Sequence, residues 1–284
     1  MNRALRKGLF LLFVFLLLTG CGKKNEVVQK AEEMAEEEKI KEEAALAASP
    51  DEYFIWYENE ILGLTEQGQT AETLVIPAKC DHLADSLLLN SAARQVHFEG
   101  DKIESLGMTF TDSKSLETIV LPEKLKEIGD YCFSGCSSLE EVSVPASVSM
   151  IGSYAFMGCS CLSALTFDGS QIKAIPEGAF LMCSSMERAD IPEGVAEIRE
   201  SAFKECSALT ELYLPSTIKS IGNMAFSKTN LSKVYFHKNA RPDPITILTF
   251  GTTTYNVHLY IEEGSWMDRN REQWYQEIGT IEYR

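Results

Sequence analysis

Eight cysteines carry most of the reactive chemistry of this 284-residue chain, and four of them recur at a regular step. Cys136, Cys159, Cys183 and Cys206 are separated by 23 or 24 residues. If each interval is one turn of a stacked structure, their Cα atoms lie about 5 Å apart, which is within the range that a disulfide permits. Side chains in one column point the same way, however, so we favour buried free thiols over a disulfide ladder. A linear column also lacks the tetrahedral geometry of a zinc site, and no metal is expected.

The histidines do not form a catalytic pattern. His82, His97, His237 and His258 are scattered along the sequence, and none has an acid and a nucleophile at a spacing that suggests a triad. A glycine-rich phosphate loop, a nucleophile elbow and a zinc-spaced cluster are all missing from the sequence. The sequence therefore predicts a protein that is not an enzyme and that uses no cofactor and no metal.

Cys21 has a different setting, at the end of an apolar segment. Residues 9–18 are all apolar and follow three basic residues, but ten residues are too few to cross a bilayer core, which needs about 20 in a helix. The next residues, Leu18-Thr19-Gly20-Cys21, resemble a bacterial lipobox, which implies acylation of the Cys21 thiol and cleavage before it. An ordinary secretory signal that contains a cysteine is the alternative. We expect residues 1–20 to be a lipoprotein signal peptide and Cys21 to hold the mature chain on the outer face of the cytoplasmic membrane.

A charged tether follows the cysteine. Residues 22–50 contain eight Glu and five Lys, which favour helix, and Ser49-Pro50 ends the segment. We predict that residues 21–50 are a lipid-anchored, partly helical and solvated spacer. A coiled coil seeded by Val27, Met34 and Ile40 is the alternative, but sustained apolar heptads are absent.

The cysteine column belongs to a repeat of 22–24 residues. A second column, spaced by 23 or 24 residues, is occupied only by phenylalanine: Phe133, Phe156, Phe180, Phe203 and Phe226. Each unit also contains a short stretch of alternating apolar and polar residues, typical of a strand, which proline ends in four units. One unit cannot bury its apolar stripe without its neighbours. We predict a β-rich, right-handed solenoid with a parallel sheet on one face, short helical or turn elements and a C-terminal cap.

This repeat resembles the leucine-rich repeats of the bacterial surface protein A (BspA) type, which also occur in treponemal surface proteins. Val142-Ser143-Val144-Pro145, Ile151-Gly152, Ala155-Phe156 and Cys159 fit the consensus nearly position by position. The resemblance implies a leucine-rich repeat fold and a non-catalytic cell-surface protein that binds or adheres to another protein through its sheet. It also implies that the cysteine is a consensus residue.

The resemblance divides the rest of the chain into three parts. Residues 51–115 are predicted to be an N-terminal entry segment with degraded repeats, 116–240 the leucine-rich repeat solenoid, and 241–284 the C-terminal cap. Some residues depart from the consensus, and we expect them to loosen single turns without preventing folding. They are Asp168 in the proline column, Pro176 and Arg199 in the glycine column, and Thr229 in the cysteine column.

The charge of the chain limits the classes of partner. The formal net charge is -16, which argues against binding to nucleic acid or lying flat on an anionic membrane. Acidic residues are concentrated in residues 51–142, with a net charge of -12, whereas residues 143–284 carry only -4. Between Lys219 and Arg241 there are five basic residues and no acidic one.

The outward positions of the last predicted strands form the candidate binding patch. Tyr213 and Tyr235 are one repeat apart and should stack, beside Arg188, Glu211 and Lys233. Exposed tyrosines next to charge are good anchors for a partner. We hypothesise that this patch binds an unidentified protein of the bacterium or of a host. A glycan or cell-envelope component held by the tyrosines is the alternative, and an ordinary solvated face would need no partner.

Overall fold

The computed structural model describes residues 48–169, 171–243, 247–250, 257–274 and 280–283. The predicted signal peptide, the lipidation site Cys21 and the predicted tether up to residue 47 lie outside the described residues. Residues Ala48–Arg284 group into a single unit. Within the described ranges, no helix combines the length and the apolar character that a membrane crossing requires.

Short strands account for most of the regular structure. In chain order they are β1 (Phe54–Tyr57), β2 (Glu60–Leu64), β3 (Thr73–Ile76), β4 (His82–Leu83), β5 (Gln95–Phe98), β6 (Ser105–Leu106), β7 (Thr118–Ile119), β8 (Glu127–Ile128), β9 (Glu141–Val144), β10 (Met150–Ile151), β11 (Ala164–Phe167), β12 (Ala174–Ile175), β13 (Arg188–Asp190), β14 (Glu197–Ile198), β15 (Glu211–Leu214), β16 (Ser220–Ile221), β17 (Lys233–Phe236), β18 (His258–Ile261) and β19 (Thr280–Tyr283). The helical segments are a 3-10 turn at Asp51–Tyr53 and short α-helices at Glu66–Thr70, Ile247–Phe250, Trp266–Arg269 and Arg271–Trp274.

The strands wind into a solenoid of about nine turns, which confirms the predicted fold class. One face carries two five-stranded parallel sheets, in the orders β11-β9-β7-β5-β3 and β13-β15-β17-β18-β19. We call these the first and second main sheets. The opposite face carries two three-stranded sheets, β10-β8-β6 and β12-β14-β16. A further sheet, β1-β2-β4, lies at the N-terminal end and begins with an antiparallel hairpin.

The phenylalanine column forms the centre of the core. Neighbouring rings stack with centroids 5.1–6.0 Å apart and are at most 4% exposed. The rings in the stack belong to Phe110, Phe133, Phe156, Phe180, Phe203, Phe226 and Phe250. Stacking requires an aromatic ring at every position of the column, because each ring packs on the ring of the turn before it. The repeat period in the sequence therefore corresponds directly to ring contact in the solenoid.

The cysteine column is buried and unpaired, as predicted. Each thiol donates a weak hydrogen bond to the carbonyl oxygen of the phenylalanine in the turn before its own. Cys136 Sγ lies 3.0 Å from the Phe110 oxygen, and Cys159 Sγ lies 3.1 Å from the Phe133 oxygen. A thiol fits this column because it fills a small apolar space and still satisfies a buried carbonyl.

The different exposure of the cysteines predicts their reactivity. Of the cysteines that the structure describes, Cys161 is exposed and the other six are buried. Alkylating agents react with the thiolate, and burial raises the pKa of the Cys136 thiol to about 12. In a Cys21→Ser background we expect one thiol to react quickly in native buffer and seven in denaturant, counted by mass spectrometry after iodoacetamide treatment. Fast labelling of Cys136 or Cys159 in the native protein would contradict the buried column.

A proline contributes to the division of the sheet on the opposite face. In other turns, the residue after the second-face strand donates its N–H to the preceding turn; Gly152 N lies 2.7 Å from Ile128 O, and Arg199 N lies 2.9 Å from Ile175 O. Pro176 occupies this position after β12 and has no N–H to donate. The missing donor contributes to the interruption of the ladder between β10 and β12, where the Lys173 N–H also makes, within the described residues, no bond of the kind that Ser149 N and Ala196 N make in their turns. The departure that the sequence analysis noted at Pro176 thus has a local effect, and the solenoid continues.

The first main sheet begins against the segment that precedes the repeats. Ser49 is 8% exposed, its N–H donates to the Val75 oxygen at 3.1 Å, and its Oγ accepts from the Val75 N–H at 2.9 Å. These bonds satisfy part of the outer edge of β3, which has no further strand beside it in the described residues. Ser49 therefore docks on the sheet, although it stands at the end of the predicted tether.

Candidate functional site

The second main sheet places three tyrosines in one outward row. Tyr213 on β15 is in register with Tyr235 on β17, which is in register with Tyr260 on β18. Residues on either side of each tyrosine, such as Leu212 and Val234, are buried in the core. Because side chains alternate along a strand, the tyrosines must face outward. Their side chains are half-buried by one another and by the flanking charged residues.

These tyrosines stack on one another, with one ring for each turn of the solenoid. The ring centroids of Tyr213 and Tyr235 are 4.4 Å apart, and those of Tyr235 and Tyr260 are 4.6 Å apart. The guanidinium of Arg188 covers the free side of Tyr213, with its Cζ 3.9 Å from the ring centroid. We call Arg188, Tyr213, Tyr235 and Tyr260 the tyrosine ladder. Cation–π contact and ring stacking hold it in one conformation before any partner binds.

The charged residues beside the ladder are paired with one another. Lys233 Nζ lies 2.8 Å from Glu211 Oε1, and Arg188 makes two hydrogen bonds of 2.7 Å to the carboxylate of Asp190. The hydrogen bond from the Lys233 ammonium lowers the pKa of Glu211. Burial, followed by the charge of Glu211, raises the pKa of Tyr213, so its hydroxyl keeps its proton at neutral pH. The patch therefore presents paired charges and phenol hydroxyls rather than a net charge.

The structure brings together every residue that the sequence analysis assigned to this patch. Arg188, Glu211, Tyr213, Lys233 and Tyr235 all lie on the outer face of the second main sheet, and the predicted stacking of the tyrosines is confirmed. Their role in binding a ligand stays a prediction. The positive character of the region is smaller than the sequence suggested, because Lys233 and Lys228 pair with glutamates of the preceding turn.

Tyr260 is the member of the ladder that the sequence analysis missed. The interval between Tyr235 and Tyr260 is 25 residues, longer than the repeat, which hides the column. The sequence did contain a signal for Tyr260, because Glu211, Lys233 and His258 each stand two residues before a tyrosine with an apolar residue between.

A second stack of tyrosines was also missed by the sequence analysis. Tyr131 and Tyr154 lie one repeat apart on another part of the solenoid surface, with ring centroids 5.2 Å apart.

The ladder can recognise a partner chiefly through ring edges and hydroxyl groups. Arg188 and Tyr235 cover the two faces of Tyr213, and Tyr213 and Tyr260 cover those of Tyr235. Among the described residues, no group of three or more His, Cys, Asp or Glu side chains is arranged to hold a metal ion. The surface is suited to binding by contact and hydrogen bonding.

A solenoid of short parallel strands with a patterned outer sheet defines the class of leucine-rich repeat proteins, which offer extended binding surfaces. The family model for the BspA type leucine-rich repeat region matches six copies of the repeat, over residues 67–185 and 128–242. Because these matches cover more than half of the chain, the chain belongs to the BspA-type leucine-rich repeat family. The resemblance found in the sequence is thereby confirmed.

Solved structures of leucine-rich repeat proteins are similar to this chain at low sequence identity, and the first of them shares its fold. A leucine-rich repeat protein from Bacteroides ovatus is 20% identical, with a TM-score of 0.59 over 83% of this chain and 58% of that one. A leucine rich cell surface protein from Faecalibacterium prausnitzii is 23% identical, with a TM-score of 0.42 over 60% of each chain. The leucine-rich repeat protein of T. pallidum is 25% identical, with a TM-score of 0.39 over 66% of this chain and 71% of that one. The chain thus spans about 60% of the length of the first two relatives. No match was found among curated proteins.

Proposed function

We propose that this chain is a lipid-anchored protein of the bacterial cell surface that binds another protein through the tyrosine ladder of its second main sheet. The observation that carries the proposal is the ladder itself, a pre-ordered row of aromatic residues at the surface. Tyrosine and arginine are enriched among residues that dominate binding energy, and a tyrosine buries a large area at a low cost in conformational entropy. Here stacking has already restricted their rotamers, so little ordering remains when a partner binds.

The stacked arrangement favours a protein partner over a sugar. A glycan that binds by stacking needs a free aromatic face, and neither Tyr213 nor Tyr235 has one. Ring edges and phenol hydroxyls instead suit the carbonyl oxygens and apolar side chains of a polypeptide. The net charge of the chain, -16, also supports a partner other than nucleic acid or the membrane surface.

The proposed site is tested by removing two rings of the ladder. We expect Tyr213→Ala/Tyr235→Ala to weaken binding at least tenfold, because it removes two central anchors and exposes Arg188 and Tyr260 to water. Binding of the full chain to whole bacterial cells, immobilised mucin and peptidoglycan would be measured by surface plasmon resonance or flow cytometry. The partner captured from cell-surface extracts would then be identified by mass spectrometry.

Tyr131→Ala is the matched control, because it removes one ring of a stacked tyrosine pair outside the ladder. It should leave binding within about twofold. Unchanged binding by the ladder variant on every surface would contradict the proposal. Loss of binding to mucin glycans or peptidoglycan alone, with protein capture retained, would favour the glycan alternative.

The anchor is a separate prediction that rests on the lipobox-like sequence before Cys21. We expect wild-type protein expressed in a bacterial host to fractionate with membranes and to incorporate a clickable fatty acid. Cys21→Ser should remove the label and release the protein from the membrane fraction, because the thiol that accepts the lipid is lost. Cys161→Ser is the control, since that thiol is exposed but lies within the solenoid. Membrane association of the Cys21→Ser variant would show that another segment holds the chain.

A further inference from the structure

A groove crosses the turns that follow the stacked phenylalanines. It extends over four successive turns and has a volume of about 480 Å³, within the range of sites for small ligands. One wall consists of the residues two positions after each phenylalanine, and the other of the residues four positions after it. With turns about 4.8 Å apart, the groove is about 14 Å long. We call it the serine groove, and none of its lining residues belongs to the tyrosine ladder.

One wall of the serine groove is a column of hydroxyl groups from Ser160, Ser184 and Ser207. Ser160 Oγ donates to the Ser137 oxygen at 3.1 Å, and Ser184 Oγ donates to the Ser160 oxygen at 3.2 Å. Because these protons go to the turn before, the lone pairs of the two oxygens remain to accept hydrogen bonds from a ligand. The column therefore offers acceptors about 4.8 Å apart, one in each turn.

The opposite wall combines an ion pair with an apolar stretch. Lys228 Nζ lies 2.7 Å from Glu205 Oε1, and this hydrogen bond lowers the pKa of Glu205. The ammonium has three N–H groups and uses one of them here, so it can also donate to a ligand. Beside the ion pair lie the exposed Met182 and, in the turn before, Gly158, which has no side chain to narrow the groove. The groove thus contains acceptors, a donor and an apolar contact.

The backbone of the groove is already bonded and does not suit a peptide. The N–H groups of Gly158, Met182 and Glu205 each donate to a carbonyl of the next turn, at 2.8–2.9 Å. A polypeptide lying along the groove would therefore find no strand edge to pair with. Its groups on one side would also recur at about 7 Å, out of step with serines that are about 4.8 Å apart.

A linear oligosaccharide matches the groups of the serine groove. Each hydroxyl group of a pyranose both donates and accepts, so it can give its proton to a serine oxygen and accept from Lys228. One ring of an extended chain is about as long as one turn is high, so successive rings meet successive serines. The C–H groups of a ring can pack on the flexible side chain of Met182, which requires no free aromatic face.

We propose that the serine groove is a second binding site, which takes a linear, hydroxyl-rich oligosaccharide along the axis of the solenoid. The length of the groove, about 14 Å, accommodates about three sugar rings at one ring for each turn. This site goes beyond the proposed function, because it is separate from the tyrosine ladder. The chain can thereby hold a glycan along its side while the ladder binds a protein.

The test uses the full chain and two defined sugars, the β-1,4-linked tetraoses of glucose and of N-acetylglucosamine. Isothermal titration calorimetry measures their binding, and the two sugars separate a plain glucan from an amino-sugar chain of the cell-wall type. We expect at least one of them to bind. Ser184→Leu should weaken this binding at least tenfold, because the larger side chain fills the middle of the groove and removes an acceptor. Lys228→Ala, which truncates an exposed side chain, should weaken it about fivefold.

Ser163→Leu is the matched control, because Ser163 Oγ also bonds to the turn before, at 3.4 Å from the Glu140 oxygen, but lies outside the groove. It should bind the sugar within about twofold of wild type. The absence of binding by both tetraoses at millimolar concentration would overturn the proposal. Undiminished binding by Lys228→Ala would also overturn it, even if Ser184→Leu fails to fold.

The ladder variant separates this proposal from the proposed function. Tyr213→Ala/Tyr235→Ala should bind the tetraose as wild type does, because it leaves the serine groove intact. Loss of sugar binding in that variant would place the sugar on the ladder and refute the groove. Retained sugar binding, together with cell binding that the ladder variant leaves unchanged, would support the groove and refute only the ladder.

Discussion

Replacing Phe156 by alanine is expected to lower the free energy of unfolding by about 3–5 kcal/mol, the range typical of a buried phenylalanine. The ring is fully buried and stacks on Phe133 and Phe180, with centroids 5.1 Å and 5.4 Å away. Its removal leaves a cavity and takes one contact from each neighbouring ring. Typical domains are stable by about 5–15 kcal/mol, so this single change removes a large share. Urea unfolding followed by circular dichroism measures the loss.

Two variants make the Phe156 result interpretable. Phe156→Leu keeps most of the apolar volume and should cost less than about 1.5 kcal/mol. Val120→Ala truncates a side chain that is 58% exposed on the first main sheet, and it should leave the unfolding midpoint nearly unchanged. If Phe156→Ala costs no more than Phe156→Leu, the buried volume that the alanine removes would carry no penalty, and the column would not be the close-packed centre of the core.

Alkaline pH is expected to destabilise the protein strongly through its buried thiols. Burial raises the pKa of Cys132, Cys136, Cys159 and Cys183 above the ordinary value of 9.0, to about 12 for Cys136. The folded state thus keeps protons that the unfolded state releases. The stability that the four protonated thiols contribute is fully present below pH 9. It is lost as the pH rises from 9 toward their pKa in the folded state. Each thiol costs about 1 kcal/mol between pH 9 and pH 10, or about 4 kcal/mol together.

The loss of stability at alkaline pH can be assigned to the cysteines by comparing how steeply the free energy of unfolding falls with pH in different variants. The free energy of unfolding is measured in urea at several pH values from 8 to 10, under reducing conditions. Cys159→Ala should reduce the drop between pH 9 and pH 10 by about 1 kcal/mol, because one titrating group is removed. Cys161→Ala should leave the drop unchanged, since that residue is exposed. An identical slope in Cys159→Ala and in wild type would mean that other groups cause the alkaline loss.

Much of the fold could be predicted because, in a repeat protein, residues at equivalent positions of neighbouring repeats contact one another. The columns of Phe133, Cys136 and their equivalents predicted which residues stack, and the structure has them stacked and buried. Alternation along the strands predicted that Tyr213 and Tyr235 share the outer face. In a solenoid, residues one period apart are spatial neighbours, so periodicity alone identifies them.

Irregular turns were less predictable. The 25-residue interval before Tyr260 breaks the period, and alternation cannot show which strand lies next to β17. The sequence also marked Pro176 and Asp168 as departures, yet it did not show that the sheets on both faces would divide near them. A missing N–H or a missing side chain has an effect that depends on how the neighbouring turns repack.

The sequence by itself determined the repeat class, the residues of the core columns and the acidic character of the chain. The tertiary structure alone decided which surface charges pair, how far the tyrosine ladder extends and where the main sheet opens. The physical reason lies in the range of the interactions. A column is set by chemical identity at a constant spacing, whereas pairing of Lys233 with Glu211 and separation of β11 from β13 depend on distances between whole turns.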